Sequence, residues 1–79
     1  MSMEKQFKEL VSQYCQVSPD NLKGDSRFRE DLDFSSLDFM SFLGELEDEF
    51  DIELQQERIV NIRTIDEALS VIQDLQEAS

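Results

Sequence analysis

The sequence predicts an all-α protein, a small four-helix bundle of three main helices and one short one, with a long loop after the first helix. Apolar residues recur at helical spacing in three separate stretches, and two of those stretches open on residues that cap helices. No internal repeat, low-complexity tract or Pro/Gly/Ser linker divides the chain, so residues 1–79 are read as a single domain.

The first helix is expected over 3–15. Met3, Phe7, Leu10, Val11 and Tyr14 fall at spacings of 4, 3, 1 and 3, which gather onto one stripe at about 100° per residue. Ser18-Pro19 then offers a capping hydroxyl and a proline suited to a first helical position, but little periodicity follows, so one turn within a long loop is expected. Leu22, Phe28 and Leu32 are the anchors that pin this loop, which runs on to Phe34.

The second helix runs from Ser35 or Ser36 to Phe50. Ser35 can cap it, and Asp38, three residues on, approximates a capping box and complements the helix dipole. Residues 55–61 form a short amphipathic turn or helix. Thr64-Ile65-Asp66-Glu67 supplies a full capping box for the last helix, whose stripe is Ile65, Ala68, Leu69, Ile72 and Leu75.

The second helix has two distinct faces. With Leu37 at zero, Phe42, Leu46, Phe39, Phe50 and Leu43 fall between about 140° and 240° and form the core stripe. Leu37, Met40, Ser41, Gly44 and Asp48 lie on the opposite side, with Glu47 at its edge. Scattered apolar residues on a surface are ordinary. An apolar pair beside a glycine notch, with acids at the far end, also has the composition of a protein docking face.

Composition limits what such a chain does. Seventy-nine residues make one domain with a small core, too small for deep catalytic machinery. A formal charge of −12 disfavours nucleic acid and anionic membrane surfaces and favours a basic protein partner. Between Glu30 and Glu57 stand 11 acids and no Lys or Arg. Salt should therefore raise stability by shortening the range of that repulsion, which melting at low and moderate ionic strength measures. There is no His, and the single Cys15 has no internal partner for a disulfide, so no metal site is expected and a reducing cytoplasm fits. No apolar run exceeds two residues, so neither a signal peptide nor membrane insertion is expected.

The segment Phe28-Arg29-Glu30-Asp31-Leu32-Asp33-Phe34-Ser35-Ser36-Leu37-Asp38, leading into Leu46-Glu47-Asp48-Glu49-Phe50-Asp51-Ile52-Glu53-Leu54, closely resembles the acyl carrier protein family. The resemblance spans essentially the whole chain, including the Ile62-Arg63-Thr64-Ile65 start of the last helix. It implies that Ser36, immediately before Leu37, is esterified with 4'-phosphopantetheine derived from coenzyme A. The thiol of that arm would carry acyl intermediates of fatty acid, polyketide or related biosynthesis as thioesters. The implied partners are a phosphopantetheinyl transferase and acyl-loading, acyl-transferring or condensing enzymes with basic docking patches. These would meet Leu37, Asp38, Met40, Ser41, Gly44, Glu47 and Asp48. The resemblance implies a cytoplasmic, monomeric, non-catalytic cosubstrate with no nucleic-acid partner.

Chemistry suits the placement, because a first-turn serine presents its hydroxyl beside free backbone N–H groups and the positive end of the helix dipole. The chain departs from the family pattern at Asp33, Phe34 and Ser35, where a Gly early in the motif and an Asp directly before the serine are common. Ser41 and Gly44 likewise replace an acid and a bulky apolar residue, which implies a specialised carrier. Two rival readings stand beside this one. A calcium loop starting at Asp31 fails, with Ser36 where Gly is needed and Phe42 where a bidentate Glu is required. An unmodified carrier-like interaction module is the alternative function.

Overall fold

In the computed structural model, which describes residues 2–78, the side chain of Ser2 accepts a hydrogen bond from the Lys5 amide at 3.2 Å and opens helix α1 (Met3–Ser12). A single 3₁₀ turn at Pro19–Asn21 interrupts the long connection to α2 (Ser36–Phe50). The short α3 (Gln56–Ile59) and the final α4 (Ile65–Ala78) follow. The described residues contain four α-helices and no strand; one isolated bridge joins Arg27 to Thr64.

The boundaries depart from expectation at one place. α1 stops at Ser12 rather than continuing to residue 15, because the Gln13 and Tyr14 amides turn back to the Leu10 and Val11 carbonyls, tightening the chain into i→i+3 bonds. Tyr14 instead lays its ring against Phe34 and Phe42, at centroid distances of 5.8 Å to each. Its hydroxyl donates to Glu45 Oε1 at 2.6 Å. That hydrogen bond first, then burial, holds the phenol up to about 12. Because the folded value is raised above the ordinary 10.0, the unfolded chain loses this proton first. The contribution is therefore complete below about pH 10 and fades as pH rises toward 12. Tyr14→Phe should cost about 1 kcal/mol at neutral pH and flatten that alkaline part of the stability curve, as urea denaturation across the range would show.

α2 opens with a reciprocal capping box. The Ser35 hydroxyl accepts from the Asp38 amide at 3.1 Å, and the Asp38 carboxylate accepts from the Ser35 amide at 3.2 Å. At its other end Asp51 adopts the left-handed conformation with φ 52°, and the Ile52 amide returns to the Glu47 carbonyl. At the start of α4 the Thr64 hydroxyl accepts from the Glu67 amide at 3.2 Å while Glu67 Oε1 accepts from the Thr64 amide at 3.0 Å. Both boxes stand where the sequence places them. The Ser18 carbonyl accepts the Asn21 amide at 3.0 Å, but the Ser18 hydroxyl caps no backbone amide and accepts instead from the Asn21 side chain at 3.0 Å.

One contiguous core collects the apolar faces of α1, α2 and α4 with the anchors of the long loop. Leu22, Phe28 and Leu32 are buried as expected, and Phe34 joins them as a fourth anchor. The centre is aromatic: Phe42 contacts the rings of Phe7, Tyr14, Phe28 and Phe34 at centroid distances between 5.6 and 5.8 Å. Val71 is buried on α4 beside the expected stripe, of which Leu75 is half-buried. Among the described residues no polar or charged residue is buried.

The loop is also fastened by its backbone. The Phe28 amide donates to the Arg63 carbonyl, and the Ile65 and Asp66 amides donate to the Ser26 and Gly24 carbonyls, at 2.9–3.1 Å. The segment ahead of α2 is thus set against the residues that start α4, which fixes the direction from which the chain enters Ser35.

Candidate functional site

Ser36 is the first residue of α2 and is exposed. Because Ser35 takes the capping role, the Ser36 hydroxyl is free for other chemistry; Arg29 Nη2 donates to its Oγ. Arg29 reaches it from a tight loop. The Asp31 and Leu32 amides bond to the Arg27 carbonyl, and the Phe34 amide bonds to the Phe28 carbonyl. This return path passes through Asp33, held left-handed at φ 58°. That conformation favours glycine, with Asp and Asn the usual substitutes, which accounts for an aspartate at this point of the motif.

The predicted docking residues divide in two. Leu37 is 80% exposed and Met40 62%; Ser41, Gly44 and Asp48 are exposed with them. A Cβ added at Gly44 would meet nothing within 4 Å, so the helix itself gives no packing reason for the glycine. Asp38 and Glu47 are half-buried and already engaged. Asp38 belongs to the capping box, and Glu47 Oε2 accepts from the Leu54 amide at 2.9 Å. Glu47 therefore holds the 52–54 segment against α2, and the acid left open at the far end of the face is Asp48.

Phe39, expected in the core stripe, is only half-buried. It packs on Phe28 at 5.5 Å and lines a cleft of about 670 Å³. The cleft has an apolar floor of Phe28, Phe39 and Ile62, and Arg27, Arg29 and Arg63 also line it. Arg27 is ion-paired with Glu30. Sequence reasoning missed this cleft, and it missed the Arg29 contact, because both depend on the path of an aperiodic loop.

Among the described residues there is no group of three or more His, Cys, Asp and Glu side chains placed to hold a metal ion. No helix there is long and apolar enough to cross a membrane.

Residues 5–72 match a protein family described as the phosphopantetheine attachment site. An acyl carrier protein from Sulfurovum sp. (strain NBC37-1) is 37% identical over 75 residues, covering 95% of this chain and 100% of the relative. One from Chlamydia trachomatis serovar D is 34% identical over 76 residues, covering 96% and 99%. Among solved structures, the acyl carrier protein from Enterococcus faecalis superposes with a TM-score of 0.81 at 26% identity, over 91% of each chain. That from Thermotoga maritima gives 0.77 at 25% identity, over 96% of this chain and 94% of its own.

Proposed function

Because this chain belongs to the acyl carrier protein family, whose prosthetic group is 4'-phosphopantetheine, we propose that residues 1–79 act as one carrier domain in the cytoplasm and that Ser36 is the point of attachment. The arm's terminal thiol supplies the chemistry, holding an acyl group as a thioester; the protein presents it and catalyses nothing itself.

The observation that carries the reading is the state of the Ser36 hydroxyl. It is exposed, released from capping by Ser35, set at the N-terminus of a 15-residue helix and bonded to a guanidinium. A phosphodiester on this oxygen would meet unpaired backbone N–H groups, the positive end of the helix and a cation. The chain's residues therefore fit the group. In the attachment step Ser36 Oγ bonds to the phosphorus of coenzyme A that carries the pantetheine. The phosphoanhydride bond breaks, adenosine 3',5'-bisphosphate leaves with the electron pair, and the hydroxyl proton passes to a base brought by the transferase. Arg29, donating to Oγ, favours loss of that proton.

The intact mass of protein isolated from its own host tests this. One phosphopantetheine, with or without an acyl group, is the expected result; an unmodified mass, unchanged after incubation with coenzyme A and a broad-specificity transferase, favours a carrier-like interaction module.

Partner enzymes dock, in this reading, on Leu37, Met40, Ser41 and the Gly44 notch, with Asp48 steering a basic rim. Asp48→Lys should lower the association rate with the cognate acyl-loading enzyme and weaken its salt dependence while leaving dissociation nearly unchanged. Gly44→Ala should stabilise the fold by about 1 kcal/mol yet slow transfer, which separates a notch kept for a partner from a neutral residue. If Gly44→Ala stabilises with no loss of transfer, the notch has no part in docking.

A further inference from the structure

The cleft beside Ser36 has an unusual charge for this chain. The protein carries 19 acids against 7 bases, yet the cleft is lined by three arginines and two glutamates, and both glutamates are engaged. Glu30 pairs with Arg27. Glu67 accepts from the Arg63 and Thr64 amides and from the Thr64 hydroxyl. Among the described residues, Arg29 and Arg63 have no carboxylate partner. They belong to two segments joined by the Phe28 amide to Arg63 carbonyl bond, so both line one cavity whose floor is apolar. A charge of −12 makes carboxylate partners plentiful, and two guanidinia left without one at a single cleft mark a place for an anion from outside the chain.

We propose that Arg29 and Arg63 form a seat for an oxyanion belonging to the group esterified on Ser36, with Phe28, Phe39 and Ile62 taking the apolar atoms beside it. This rests on the Ser36 assignment, since Arg29 reaches both the hydroxyl and the cleft. Two parts of such a group have the required chemistry: the phosphodiester next to Oγ, or a carboxylate at the end of an acyl cargo separated from the thioester by an alkyl spacer.

A broad-specificity transferase given coenzyme A, pentanoyl-coenzyme A or glutaryl-coenzyme A would make three forms of the protein, the last two alike in carbon count and differing in terminal charge. Mass confirms one arm per chain in each. The readout is the side-chain Nε–Hε resonances of Arg29 and Arg63, with the backbone amides of Phe28, Phe39 and Ile62, compared with the unmodified protein. If the phosphodiester is the occupant, the arginine resonances move when the bare arm is added and all three forms look alike. If the carboxylate is, Arg29 shifts with the bare arm because its partner Oγ is esterified, but Arg63 stays near its unmodified position with the bare arm or pentanoyl, and glutaryl alone moves Arg63 and moves Arg29 further. Either result supports the seat, provided Arg63→Gln reduces the movement at Arg29 by roughly threefold, as loss of one exposed charge contact would, and Arg63→Lys restores part of it. An Arg63 resonance that stays still in all three modified forms, or an Arg29 movement undiminished in Arg63→Gln, overturns it. Absence of an arm by mass would instead sink the Ser36 reading, so the two failures are distinguishable.

Discussion

Ser36→Ala is expected to take up no phosphopantetheine and to melt within a degree or two of the parent, roughly the range of a surface change under 0.5 kcal/mol. The hydroxyl lies outside the cap and outside the core, and alanine is the best helix former. Its neighbour should behave in the opposite way. Ser35→Ala removes the acceptor for the Asp38 amide and should lower stability by about 1 kcal/mol, yet leave the Ser36 hydroxyl in place and open to modification. Intact mass after incubation with coenzyme A and a transferase, with a urea melt of each variant, gives both answers. An adduct mapped to Ser35, or an arm on the Ser36→Ala protein, would move the attachment point and with it the argument that Arg29 stands beside the phosphodiester.

Phe42→Ala should have the largest effect on folding of any single truncation considered. The side chain is 0% exposed and touches four other aromatic rings. Such a truncation costs about 3–5 kcal/mol, a large share of the total of about 4–12 kcal/mol that a domain of this size commands. Met40, two positions earlier on the same helix, is 62% exposed, and Met40→Ala should change stability by under about 0.5 kcal/mol while slowing acyl loading or transfer by the cognate enzyme. Denaturant melts of the pair test the faces of α2 directly. A cost of about 2–5 kcal/mol for Met40→Ala, typical of a buried methionine, would mean that the face assigned to partners belongs to the core.

Most of the framework was legible because it is local. The stripes of α2 and α4, apart from the half-buried Phe39 and Leu75, both capping boxes and the exposed pair Leu37 and Met40 follow from local spacing and residue type. The end of α1 did not, since Tyr14 has the right phase for the helix but is drawn into the aromatic centre by Phe34 and Glu45, which are distant in sequence. The assignment of Ser36 came from resemblance, while its setting did not. Arg29 and Arg63 are far apart along the chain, and only the pairing of the long loop with the start of α4 brings them to one cleft. Asp33 left a usable trace: it stands where the family commonly has glycine, and its φ of 58° gives the reason. Glu47 left none, because a carboxylate at the edge of an acidic face looks the same in sequence whether it steers a partner or accepts the Leu54 amide.

The bonds that fasten the loop to the start of α4 also bear on the order in which the chain folds. Helix α2 and its cap are made from neighbours, whereas the Phe28–Arg63, Ser26–Ile65 and Gly24–Asp66 bonds each close a wide loop whose entropy is lost before any return is gained. A folding chain can therefore wind α2 and expose Ser36 while the Arg29 segment is still unplaced. Its hydroxyl is the same atom in both states, but its surroundings are not, and an enzyme that reads the shape around the serine meets that shape only once the long loop and the start of α4 have come together. On the proposed reading, modification of Ser36 reports on completed folding as well as on sequence.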